Sequence, residues 1–338
     1  MTSALLEVRD LKVEFKTEDG VVSAVNGVSF WVAPGETLAI VGESGSGKSV
    51  SALSVMGLIE KPGRISGGDI LYAGQSLLAL PDRDYRKLRG GDLAMIFQDP
   101  LSSLNPAFRV GDQIAEALLT HSYEKKSAAR RQAAVLLDQV GIPHAGDRAR
   151  DYPHQFSGGM RQRAMIAMAI ANKPKLLIAD EPTTALDVTI QAQVLEVLQA
   201  AQQETNAAML LITHDLGVVA GIADRVAVMY SGRIVEEGTL DEVFYESRHP
   251  YTLGLLSSLP RLDSDRSRPL RTIPGTPPSV LSLPPGCPLA PRCPYVEDRC
   301  RAERPELEAV GPETHRSACF RSAELPALAA ALEEVPSP

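Results

Sequence analysis

The segment Gly42-Glu43-Ser44-Gly45-Ser46-Gly47-Lys48-Ser49 constrains this chain more than any other feature. It follows the apolar run TLAIV and precedes the helix-like VSALSVMGLI. A G-x-x-x-x-G-K-[ST] pattern between a strand and a helix is a P-loop. Its glycines let the backbone curl so that successive N–H groups face phosphate oxygens, and the following helix adds its positive N-terminal end. Lys48 reaches the β- and γ-phosphates and Ser49 holds Mg²⁺. The candidate nucleotide contacts are thus Gly42, Glu43, Ser44, Gly45, Ser46, Gly47, Lys48, Ser49 and Val50. The expected fold class is α/β.

Two further apolar runs read as strands. Leu176–Ala179 ends in Asp180-Glu181, an acidic strand end of the Walker B kind. There Asp180 holds Mg²⁺ and Glu181 polarises a water against the γ-phosphate. Ala208–Ile212 ends in Thr213-His214-Asp215, where His214 read alone is either a γ-phosphate contact or a surface polar residue.

The 338 residues suggest about two domains. Forty-two acidic against 34 basic residues give a net charge of −8, which argues against a nucleic-acid binder. No run of 18 apolar residues exists, so a bilayer-spanning helix is not expected. The start MTSALLEVRDLKVEF lacks the pattern of a signal peptide, and a cytosolic chain is expected. Sixteen of 25 prolines lie from Pro250 onward and all four cysteines from Cys287 onward. The expected organisation is one domain over 1–250 and a loop-rich extension over 251–338.

Between P-loop and Walker B lies Phe156-Ser157-Gly158-Gly159-Met160-Arg161-Gln162-Arg163. It resembles the LSGGQ signature of the ATP-binding cassette (ABC) family, departing at Phe156 and Met160. Taken alone it reads as a serine N-cap followed by two glycines. The other cassette motifs follow in order. Ile96-Phe97-Gln98-Asp99-Pro100 looks like the Q-loop, which the resemblance makes a link from the nucleotide site to a membrane subunit, with Gln98 also at Mg²⁺. Ala185-Leu186-Asp187 looks like the D-loop, and His214 falls at the switch histidine. Phe15 lies where the family stacks an aromatic on adenine, although a Phe in a VEF strand reads equally as core.

The runs IVGESGSGKSVSALSVMGLI, AMIFQDPLSSLNP, YPHQFSGGMRQRAMIAMAIA and LLIADEPTTALDVTIQAQVLEVL resemble one branch. That branch comprises the ATPase subunits of bacterial dipeptide and oligopeptide importers, with nickel and glutathione importers as relatives. Arg248-His249-Pro250-Tyr251-Thr252-Leu253 resembles the start of its C-terminal extension. The resemblance implies a cassette with a small antiparallel β-subdomain and a helical subdomain over about 99–162 that carries the signature. It also implies ATP hydrolysis in a two-cassette dimer, in which Ser157, Gly158, Gly159 and Asp187 serve shared sites. The implied partners are a second, related ATPase subunit, two transmembrane permease subunits and an extracytoplasmic peptide-binding protein. The implied location is the cytoplasmic face of the bacterial inner membrane. A soluble cassette ATPase of DNA repair or translation is the rival. The chain has one cassette, and only about 108 residues without sustained heptads separate Ser49 from Ser157, which disfavours it.

Cys287, Cys293, Cys300 and Cys319 match neither common zinc nor common ferredoxin spacing, so their spacing leaves zinc, iron–sulfur and no metal open. His315 is a rival ligand or an exposed histidine. The resemblance implies a [4Fe–4S] cluster on the four cysteines. Arg292 and Arg299 flank two of them and are either a compensating charge for a cluster or ordinary exposed arginines.

Overall fold

Every residue of the strand Thr37–Val41 is buried, as are those of Leu93–Ile96, Leu176–Asp180 and Ala208–Thr213. Continuous apolar runs of this length fit parallel strands covered on both faces. The computed structural model describes residues 4–121, 125–184, 186–259, 273–311 and 314–333. Ala185 of the D-loop and residues 260–272 of the proline-rich stretch lie outside the described residues.

The described strands are β1 (Leu6–Thr17), β2 (Gly20–Val32), β3 (Thr37–Val41), β4 (Gly63–Tyr72), β5 (Gln75–Ser76) and β6 (Leu93–Ile96). They continue with β7 (Leu176–Asp180), β8 (Ala208–Thr213), β9 (Arg225–Tyr230), β10 (Arg233–Thr239), β11 (Glu308–Ala309) and β12 (Arg316–Ser317). An antiparallel sheet has the order β2-β1-β4-β5, and the main sheet has the order β11-β12-β10-β9-β3-β8-β7-β6. From β9 to β6 the main sheet is parallel.

Side-chain alternation divides the core by face. Ala39, Val41, Ala94, Ile96, Leu177, Ala179 and Leu211 join the layer of helices, which includes Val110–His121, Lys126–Gln139, Gly158–Ile170 and Val188–Thr205. Leu38, Ile40, Leu93, Met95, Leu176, Ile178, Leu210 and Ile212 face the antiparallel sheet and the helix Lys48–Val55. Between β6 and β7 the described regular structure is entirely helical. The architecture is that of an α/β cassette with an antiparallel β-layer and a helical layer.

The loop-rich C-terminal extension docks on the main sheet. β12 pairs antiparallel with β10 through Glu236↔Ser317 and Glu237↔Arg316, and the Ala318 N–H donates to the Val235 carbonyl at 2.8 Å. The edge that β10 would otherwise expose is thereby capped, which removes a row of unpaired backbone groups. Leu289 enters the main core, and Cys287 and Cys293 pack against it.

Candidate nucleotide site

Strand order builds the site. In the sequence β3-β8-β7-β6 the parallel strands end at Val41, Thr213, Asp180 and Ile96. The loops that follow carry Gly42, His214, Glu181 and Gln98, which all line one open cleft at the C-terminal edge of the sheet. A ligand crevice at that edge is the rule for open α/β sheets.

The loop itself is sterically determined. Gly47 caps the helix Lys48–Val55 with φ 103°, and a Cβ there would lie 2.4 Å from the Ala24 carbonyl oxygen. A Cβ on Gly42 would lie 2.1 Å from the Met229 carbonyl oxygen. Both positions therefore require glycine. Lys48 is buried and its Nζ donates to the carbonyls of Gly42 at 2.7 Å and Glu43 at 3.0 Å. Burial pushes its pKa down, opposed by the charges of Glu181, Asp180 and Glu43.

Two of the three expected Mg²⁺ ligands, Ser49 and Asp180, meet, while Gln98 hydrogen-bonds Glu181 instead. The Ser49 hydroxyl donates to Asp180 Oδ1 at 2.9 Å. Burial raises the Asp180 pKa, and the Ser49 hydrogen bond and Lys48 oppose that rise. Hard oxygen donors at the end of a P-loop fit Mg²⁺. Glu181 gathers the rest of the predicted machinery. Its Oε2 accepts from Gln98 Nε2 at 3.0 Å and from the Thr184 hydroxyl at 2.8 Å, and His214 Nδ1 lies 3.3 Å from Oε1. Its own backbone sits at φ 46°, held by a hydrogen bond from its N–H to the Ile212 carbonyl. Thr184 was not legible as a site residue. A hydroxyl three residues after an acid carries no local signal of its own.

The signature lies elsewhere. Ser157 caps the helix Gly158–Ile170, its hydroxyl accepting from the Met160 N–H at 3.3 Å, and both Ser157 and Gly158 are exposed. Asp187 likewise caps Val188–Thr205 through the Ile190 N–H at 3.0 Å. The two segments touch, because a Cβ on Gly159 would meet Ile190 Cγ2 at 2.6 Å. Neither segment lines the cleft that holds Glu181. Phe15 is not in that cleft either. It pairs with Val22 and Gly63 across the antiparallel sheet, and its ring packs over Gly63. Val50 packs against the β-layer core.

Two C-terminal expectations change, those for Arg292 and His315, and Arg299 is the ordinary exposed arginine. Arg292 does not face the thiols as a counter-charge; it is buried against Glu43 of the P-loop, with Nη1–Oε2 at 2.8 Å and Nη2–Oε1 at 3.0 Å. Arg299 is exposed, pairs with Glu303 and lies 3.9 Å from the Phe320 ring centroid. His315 is neither exposed nor with the cysteines; it is buried, with Nε2 at 2.9 Å from Glu236 Oε1.

The four cysteines, which are all free thiols, do converge on one cavity of about 20 Å³. Burial pushes the Cys287 thiol pKa up, that of Cys293 to about 11 and that of Cys319 to about 12. Backbone amides counter this: those of Leu289 and Ala290 at Cys287, of Tyr295 at Cys293 and of Arg321 at Cys319. Among the described residues no three His, Cys, Asp or Glu side chains gather around a single ion position.

Fold and site together define an ABC-type ATPase. The ABC transporter family model matches residues 25–184, and that of the oligopeptide/dipeptide transporter C-terminal region matches residues 235–300. The chain is 53% identical over 322 residues to the oligopeptide transport ATP-binding protein OppD of Salmonella typhimurium, covering 95% of each chain. It is 55% identical over 317 residues to the dipeptide transport ATP-binding protein DppD of Bacillus subtilis, covering 94% of each. Among solved structures, a dimeric bacterial ABC transporter cassette superposes with a TM-score of 0.63 at 25% identity, over 70% of this chain and 98% of that one. The chain belongs to the ABC transporter family, in its branch of oligopeptide and dipeptide transport ATP-binding proteins.

Proposed function

We propose that this chain is the ATP-hydrolysing subunit that energises import of di- and oligopeptides through a partner membrane permease. The observation that carries the ATPase role is the convergence of Gln98, Thr184 and His214 on the Glu181 carboxylate at the edge that carries Lys48. Glu181, held from two sides, orients the attacking water. Lys48 and the loop amides stabilise charge on the transferred phosphoryl group. Ser49, Asp180 and Gln98 would hold Mg²⁺, which supplies charge neutralisation across the phosphates. Peptide as cargo follows from the names of the relatives and from the C-terminal family match. No helix among the described residues is long and apolar enough to cross a membrane, so peripheral binding to a permease on the cytoplasmic face of the membrane fits the role.

The exposed signature serves a second cassette. Ser157 and Gly158 present an exposed helix N-terminus, suited to the phosphates of a partner's ATP. A related, different ATPase subunit is the proposed partner, together with two permease subunits and an extracytoplasmic peptide-binding protein. The proposed division is a cassette over 1–250, with its helical part at about 99–162, and an extension over 251–338. Cys287, Cys293, Cys300 and Cys319 are proposed to hold a [4Fe–4S] cluster. The support is the cavity that the four cysteines share. A cluster bound there would crosslink the extension.

The ATPase reading is tested by Glu181→Gln in the assembled transporter. Glutamine keeps an oxygen acceptor for the Gln98 and Thr184 donors but loses the charge that polarises water. Hydrolysis should fall by about 10²-fold or more while ATP still binds. Near wild-type turnover in this variant would contradict the role.

A further inference from the structure

Glu43 places a carboxylate inside a loop built to bind a polyanion. It is the second residue of the P-loop and lines the same cleft as Glu181 and His214. Its backbone carbonyl accepts from Lys48 Nζ at 3.0 Å, and its charge acts on Lys48. An unopposed carboxylate here would repel phosphate and compete for Lys48.

The extension opposes it. Arg292, with a side chain only 4% exposed, takes both Glu43 oxygens in a two-pronged pair at 2.8 and 3.0 Å. This geometry suits a guanidinium and is not reproduced by lysine. The Arg292 Nε donates to the Pro274 carbonyl at 2.9 Å, and Nη1 lies 3.3 Å from the Tyr230 hydroxyl. The Glu43 N–H donates to the Tyr251 hydroxyl at 2.7 Å. Tyr251 is fully buried, and its ring lies 4.6 Å from that of Tyr230. Arg292 and Tyr251, more than 200 residues from the loop in sequence, thus hold one P-loop residue by its side chain and its backbone.

We infer that Arg292 is a positioning residue of the ATP site: it neutralises Glu43 and holds it away from the phosphates, so that the C-terminal extension sets the affinity of the P-loop for ATP. The inference rests on the nucleotide site described above. A wild-type chain that fails to bind ATP would sink that site, whereas the comparison among variants addresses Arg292 alone.

The test is the affinity of the full chain for a fluorescent ATP analogue in wild type, Arg292→Gln, Glu43→Gln and the double variant, with thermal melts alongside. Arg292→Gln should weaken binding about tenfold, and the double variant should return to within about threefold of wild type. A role confined to holding the fold together would lower the melting temperature of Arg292→Gln without weakening nucleotide binding by the folded protein. Should Arg292→Gln not fold, Arg292→Lys replaces it; the expected loss is about threefold to fivefold, abolished on the Glu43→Gln background. Wild-type affinity in the Arg292 single variant, or a double variant as weak as the single, overturns the inference.

Discussion

His249 offers a pH-dependent handle on how the extension is docked. It is 2% exposed, and its Nδ1 accepts from the Tyr251 N–H at 3.2 Å, capping the helix Pro250–Ser257. Its imidazole also hydrogen-bonds with the Ala318 backbone. Burial pushes its pKa from 6.5 down to about 3. The folded state therefore stays unprotonated while the unfolded state takes up a proton below about pH 6.5. The stabilisation is fully present above pH 6.5 and is lost progressively as the pH falls towards 3. One pKa unit corresponds to about 1.4 kcal/mol, so at pH 5 the loss is about 2 kcal/mol. The Glu236 carboxylate accepts from the His249 backbone N–H at 3.1 Å and faces His315, so those groups must stay constant between the two proteins. His249→Asn does so: it keeps a capping acceptor and removes the titration. Amide hydrogen exchange in residues 251–257, followed from pH 7.5 to 5 and corrected for intrinsic exchange, should show wild type losing about 2 kcal/mol more protection than the variant. Parallel pH profiles for the two proteins would refute the reasoning.

Two further outcomes are expected. Ser157→Arg in the assembled transporter should cripple the ATP site formed with the partner's P-loop while nucleotide still binds at Lys48, as measured by site-resolved nucleotide crosslinking; equal loss at both sites would contradict the shared-site geometry. Protein purified without oxygen should be brown with about four irons per chain, and Cys293→Ser should bleach it; a colourless preparation with about one zinc per chain would replace the cluster by a zinc site.

The nucleotide site was legible because its parts are local. A P-loop needs its glycines, lysine and serine in one run, and Asp180 and Glu181 announce themselves at the end of an apolar strand. Strand order then brought Gln98, Glu181 and His214 together, as the motif order implied. What escaped was every contact made across the chain. Arg292 flanks a cysteine in sequence, yet its side chain points to Glu43, 249 positions away. His315 carried no mark of burial, and only the register Glu236↔Ser317 brings it beside a buried carboxylate. The two-residue strands β11 and β12 are too short to show a period, so the extension read as loop.

In the proposed role, ATP turnover assisted by Glu181 drives peptide across a membrane. Its most direct test is peptide uptake into vesicles carrying this chain with its permease subunits, partner ATPase and binding protein. Uptake should require ATP and should stop with Glu181→Gln while the complex stays assembled. ATP-dependent uptake that persists undiminished in that variant, or a wild-type chain that assembles on nucleic acid or ribosomes rather than on the permease, would contradict the account.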